Sequence, residues 1–118
     1  MLTFIPSQDS QTIAFEVEGT VTKEDLQELE REIGKRFSKD QPFNAYAVMG
    51  QVKMPTVNAL IEEGKIDMKR WSQYNKLAVV SEKNWLGTIT NLGDFLPGIE
   101  AKHFKTNEAE QAWDWIRA

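Results

Sequence analysis

The sequence of 118 residues contains no cysteine and a single histidine, His103. The first absence removes disulfides, thiolate nucleophiles and thiolate-bound metals together, and it suits a reducing, cytoplasmic setting. The second excludes a metal bridged by two histidines and obliges any Ser-His-acid triad to converge on His103. Basic charge is also in short supply. Fourteen Lys and Arg against 18 Asp and Glu leave a formal charge of −4, so no cationic field is available to neutralise a phosphate backbone and nucleic acid is not an expected partner. No apolar run approaches the roughly 20 residues that spanning a bilayer requires, and the opening Met1-Leu-Thr-Phe-Ile-Pro6 lacks a basic leader. The expectation is neither a signal peptide nor a membrane span, with any membrane contact peripheral. A glycine-rich phosphate loop is missing as well, because Gly87 and Gly93 stand in an amphipathic stretch without the flanking pattern and read as bends.

What is present is ordinary globular usage: 41% hydrophobic and 27% charged residues fit a chain that folds by itself rather than a disordered one. At this length one core is enough, so residues 1–118 read as one domain, without linker or internal repeat. Ile13, Phe15 and Val17 alternate with polar residues over 12–18 and predict a half-exposed strand, with Leu2 to Ile5 as a strand before it and Gly19 closing the pair. Thr22-Lys-Glu-Asp25 has the form of a helix start, and Leu26, Leu29, Ile33 and Phe37 continue one stripe to an end near Asp40. Pro42 bars continuation. Residues 43–49 are apolar enough for a strand covered on both faces, ending at Gly50. Val57, Leu60 and Ile61 begin a second helix, bent or broken at Gly64 before Met68 and Trp71. Leu77 to Val80 predict a buried strand, residues 84–96 a third helix, and Ile99 to Phe104 a last strand. The final helix is capped by Asn107, with Ala109, Ala112, Trp113 and Ile116 on one face. This recurrence of strand, helix and strand predicts an α/β domain with a mainly parallel sheet.

The third helix carries a surplus. Advancing about 100° per residue from Trp85 places Ile89, Leu92 and Leu96 within about 40° of it. Leu86 falls about 100° to one side and Phe95 about 80° to the other, so the apolar arc spans roughly 180°, more than a surface helix needs to seal itself. Gly87, Thr88, Thr90 and Gly93 are weak helix formers, so packing rather than propensity would hold the segment, and it reads as a moving lid. Its start follows the carboxyl end of a strand, the edge where open α/β sheets collect ligands. Trp71 and Tyr74 would wall the crevice there. Two readings stay open: these side chains are core and covered rim, or they form a clustered binding surface.

Other chemistry is sparse. Glu24, Asp25, Glu28, Glu30 and Glu32 are interleaved with Lys23, Arg31, Lys35 and Arg36 and read as a solvated helix face. Nothing places Asp67 or Asp94 in a cleft, so neither is assigned a role in acid–base work. No cofactor, metal or catalytic residue is expected.

Lys76-Leu-Ala-Val-Val-Ser-Glu-Lys-Asn-Trp85, followed by Ala101-Lys-His-Phe104 and by Ala109 to Ile116 with its Ala112-Trp113 pair, resembles the SpoIIAA-like family, which is related to the STAS regulatory domains. The resemblance is strongest over about the last forty residues, and the order of elements extends it to the remainder. It implies a single domain with a mixed sheet and about four helices, without enzymatic activity, for which binding of nonpolar molecules and association with membranes have been considered. STAS relatives that antagonise anti-sigma factors carry a phosphorylated serine at the start of the helix after the third strand. The matching stretch here, Gly50-Gln-Val-Lys-Met-Pro-Thr56, has no serine. Thr56 is the sole hydroxyl and reads first as a helix cap beside Pro55. The aromatic more typical after that glycine is replaced by Gln51.

The functional expectation is therefore a non-catalytic, cytoplasmic module that takes a small nonpolar or lipid-like molecule beneath residues 84–96, or rests that segment on a membrane. Its ligand-binding residues would be Trp71, Tyr74, Trp85, Leu86, Ile89, Phe95 and Leu96. The alternative is a regulatory module in which the same arc docks a protein partner, since interfaces also favour aromatic anchors; a homodimer belongs to that alternative.

Overall fold

A computed structural model describes residues 1–52, 74–82 and 100–118. Five strands, β1 (Leu2–Phe4), β2 (Thr12–Gly19), β3 (Phe43–Val52), β4 (Tyr74–Val80) and β5 (Glu100–Phe104), form one sheet in the order β1-β2-β3-β4-β5. β1 runs antiparallel to β2, and the other three pairings are parallel. The mainly parallel, mixed sheet of the sequence reading is present, with every strand beside its neighbour in sequence.

The described residues hold two α-helices, α1 (Lys23–Arg36) and α2 (Ala109–Arg117), the latter preceded by a 3-10 turn at Thr106–Glu108. The count of about four helices is not borne out. The stretches expected to be the second and third helices, 57–71 and 84–96, lie outside the described residues.

α1 begins where its sequence announces it. The Thr22 hydroxyl accepts from the Asp25 backbone N–H at 3.1 Å, and the Asp25 carboxylate accepts from the Thr22 N–H at 2.9 Å, a reciprocal box that satisfies two otherwise orphaned donors. Partial burial pushes the Asp25 carboxyl up, but the Thr22 bonds and the nearby Met1 ammonium together bring it below its ordinary value. The far end differs from expectation: α1 stops at Arg36, not near Asp40, and Phe37 is already extended. The reason is packing. Phe37 leaves the helical path to bury its ring, 5% exposed, flat against Phe43 with centroids 4.6 Å apart and planes 7° from parallel.

Both sheet faces are covered, which explains why β3 and β4 read as continuous apolar runs. On one face, Ile13, Phe15 and Val17 of β2, Phe43, Ala45 and Ala47 of β3, and Leu77 and Val79 of β4 pack with Leu29 and Ile33 of α1. On the other, Ala14, Tyr46, Ala78, Val80 and Phe104 meet Ala112, Trp113 and Ile116 of α2. Tyr46 stacks on Trp113 at 4.3 Å and 19°, and burial raises its phenol above the ordinary value although a bond with Trp113 acts in the opposite direction. Small residues at Ala14, Ala78 and Ala112, all fully buried, leave room for this stacked pair.

Three further boundaries differ from expectation. β3 passes through Gly50 to Val52, and β4 begins at Tyr74 rather than Leu77. α2 is not capped by Asn107; the Glu108 carboxylate instead accepts from the Lys105 N–H at 2.8 Å across the 3-10 turn, and the helix follows it.

The early start of β4 requires a bulge, because Phe43 faces Tyr74 while Ala45 faces Leu77. Asn44 repairs it. Its Oδ1 accepts from the Lys76 N–H at 3.2 Å, its own N–H donates to the Gln11 carbonyl at 2.8 Å, and its Nδ2 reaches Thr12 Oγ1 at 3.5 Å. The Lys76 ammonium then donates to the backbone oxygens of Trp115 at 2.9 Å and Ala118 at 2.8 Å, and lies 5.3 Å from the centre of the Trp115 indole. A strand lysine thus satisfies carbonyls at the end of α2, where a cation is also favoured by the helix dipole.

Candidate functional site

The four parallel strands share a carboxyl edge, β4 and β5 ending at Val80 and Phe104 level with Val48 while β2 and β3 run on to Gly19 and Val52, and this edge is where the sequence reading places a crevice. Ser81, the first residue past β4, is 1% exposed. Its N–H donates to the Phe104 carbonyl at 2.9 Å, and its own carbonyl accepts from His103 Nε2 at 2.9 Å. Since a carbonyl can only accept, the His103 proton sits on Nε2. This nitrogen serves to tie β5 to the exit of β4; its partner is a backbone oxygen and not a hydroxyl nucleophile, so the contact is architectural rather than a step toward a triad. One residue on, the Glu82 carboxylate accepts from the Thr106 hydroxyl, which joins the same exit to the approach of α2.

Between β2 and β3 the edge is closed differently. Gly19 has a φ of 69°, a left-handed conformation natural to glycine, and it follows a register shift between the two strands. The Glu18 side chain lies over Gly50 so closely that a β-carbon there would stand 2.9 Å from Glu18 Cγ and Oε1.

Of the seven residues singled out for ligand binding, the described structure contains Tyr74, and it places that residue elsewhere. Tyr74 opens β4 and is 4% exposed, its ring 4.4 Å from that of Phe43 and tilted by 56°. It therefore belongs to the core at the amino edge of the parallel strands, about 20 Å along β4 from the carboxyl edge by the usual strand rise. Trp71, Trp85, Leu86, Ile89, Phe95 and Leu96 lie outside the described residues, as do Thr56, Asp67 and Asp94. The contacts of Ser81 with His103 and of Glu82 with Thr106 were not anticipated, because they depend on β4 and β5 being neighbours, which no local pattern declares.

A cleft of about 560 Å³ opens at the opposite end, lined by Ser7, Gln8, Asp9, Ser10, Thr12 and Arg36. Its groups are largely engaged: Asp9 Oδ2 accepts from the Gln11 N–H at 3.1 Å and the Thr12 hydroxyl at 2.7 Å, and Arg36 Nε pairs with Glu32 at 3.1 Å. Among the described residues there is no group of three or more His, Asp or Glu side chains able to hold a metal ion, and no helix long and apolar enough to cross a membrane.

Comparison with known proteins follows the same lines. No curated protein matches the chain. Among solved structures, it is similar to a crystal structure of an uncharacterized protein of the DUF3478 family with a SpoIIAA-like fold from Shewanella loihica PV-4, with a TM-score of 0.67 at 19% identity, over 98% of this chain and 92% of that one. At that identity the likeness concerns the fold alone. The SpoIIAA-like family model matches residues 12–117, from the first residue of β2 to the last of α2. With its parallel strands and the two described α-helices inside that match, the chain belongs to the SpoIIAA-like family.

Proposed function

We propose that the protein is a non-catalytic binding module that takes a small nonpolar or lipid-like molecule, or settles on a membrane surface, through residues 84–96. One observation supports this reading above others. Among the described residues, Met1 is the sole large apolar side chain left exposed. The helical pattern of residues 84–96, which follow β4 in sequence, carries Trp85, Leu86, Ile89, Phe95 and Leu96 over an arc wider than one buried face needs. Trp71 precedes β4 and joins them in the proposal; Tyr74, a core residue, would act only by packing. Uncovering a large apolar side chain costs about 1.5–3 kcal/mol, so two or three of them favour an occupant that covers them, and such an occupant shifts the population toward the state it binds.

The test is tryptophan emission of the purified protein titrated with phosphatidylcholine vesicles, with vesicles containing an anionic lipid, and with a nonpolar fluorescent probe. A blue shift that is lost in Leu86→Asp and reduced in Trp85→Phe is expected. No response to any of the three, with Leu86→Asp indistinguishable from the parent, rejects the proposal.

The second reading is a regulatory protein-interaction module, and it draws on the family itself, since STAS-type domains commonly mediate contacts between proteins and the match spans residues 12–117. Here the expected result is recovery of one stoichiometric partner, or a second copy of this chain, that is lost on Phe95→Ala, together with no emission change on lipid.

A further inference from the structure

We draw no further inference here: the strongest candidate, the polar cleft between the β1–β2 connection and the last turn of α1, lined by Ser7, Asp9, Thr12 and Arg36 among others, carries nothing because its carboxylate and hydroxyls are bonded within the connection itself and Arg36 is paired with Glu32, and nothing in the structure shows what would occupy it.

Discussion

Replacing Lys76 with methionine keeps the apolar stem and removes the ammonium, and with it the bonds to Trp115 and Ala118 and the contact with the Trp115 indole. A hydrogen bond from a charged donor contributes about 1.5–3 kcal/mol when sheltered. The bond to Trp115 is only partly buried and the one to Ala118 is exposed, so solvent screening lowers the pair to about 1.5 kcal/mol. An exposed cation–π contact adds about 0.5 kcal/mol. Lys76→Met is therefore expected to lose about 2 kcal/mol. With a urea dependence of about 2 kcal/mol per molar, typical of small domains, the unfolding midpoint falls by about 1 M. The loss should be local before it is global: amide exchange in the last turn of α2 accelerates, while that of β2 and β3 changes only by the overall loss of stability. A midpoint within about 0.2 M of the parent, with unchanged exchange in α2, would refute the assignment of Lys76 as the cap of that helix.

The two glycines at the carboxyl edge should respond differently to alanine. Gly19→Ala places a side chain at a φ of 69° and is expected to cost about 1–2 kcal/mol, whereas Gly50→Ala obliges the Glu18 side chain to swing away from its Cγ outward and should lower the denaturation midpoint modestly, a loss that Glu18→Ala relieves. Asp25→Asn weakens the box that starts α1, at a cost of about 1 kcal/mol at neutral pH. Because the folded carboxyl lies below its ordinary value of 3.8, that stability is complete above the unfolded value and disappears as pH falls through the folded one. Urea titrations at several pH values check this; a difference between parent and variant that persists in strong acid contradicts it. Tyr46 behaves in the opposite sense. Its raised phenol contributes stability that is intact below the ordinary value of 10.0 and declines as pH rises through the folded one, so Tyr46→Phe should flatten the alkaline limb of a stability-versus-pH curve. An unchanged limb would show that Tyr46 does not control it.

Local signals in the sequence carried much of this architecture. The alternation of Ile13, Phe15 and Val17 marks β2, the Thr22 to Asp25 box marks the start of α1 to the residue, and Ala112, Trp113 and Ile116 are the buried stripe of α2. What stayed hidden depends on how the elements are placed against one another in space. Phe37 fits the helical stripe as well as it fits a stack on Phe43, and only the position of β3 decides between them. The bulge opposite Asn44 depends on the pairing of two strands far apart in sequence, and Lys76 reads as an ordinary strand lysine until α2 is docked beside it. The candidate site was the least legible part. A tyrosine just ahead of an apolar strand has the same surroundings in sequence whether it walls a crevice or, as Tyr74 does, extends the strand into the core.

The one-after-another order of strands bears on how the chain matures as it is made. Each strand can join a sheet edge supplied by the strand synthesised just before it, so growth needs no waiting for distant segments and little rearrangement. The exception is the α2 side, where Tyr46, Ala78, Val80 and Phe104 meet Ala112, Trp113 and Ile116 only after the last turns have left the ribosome. A product truncated before Ala109 would present that sticky flank to chaperones, proteases and its own copies.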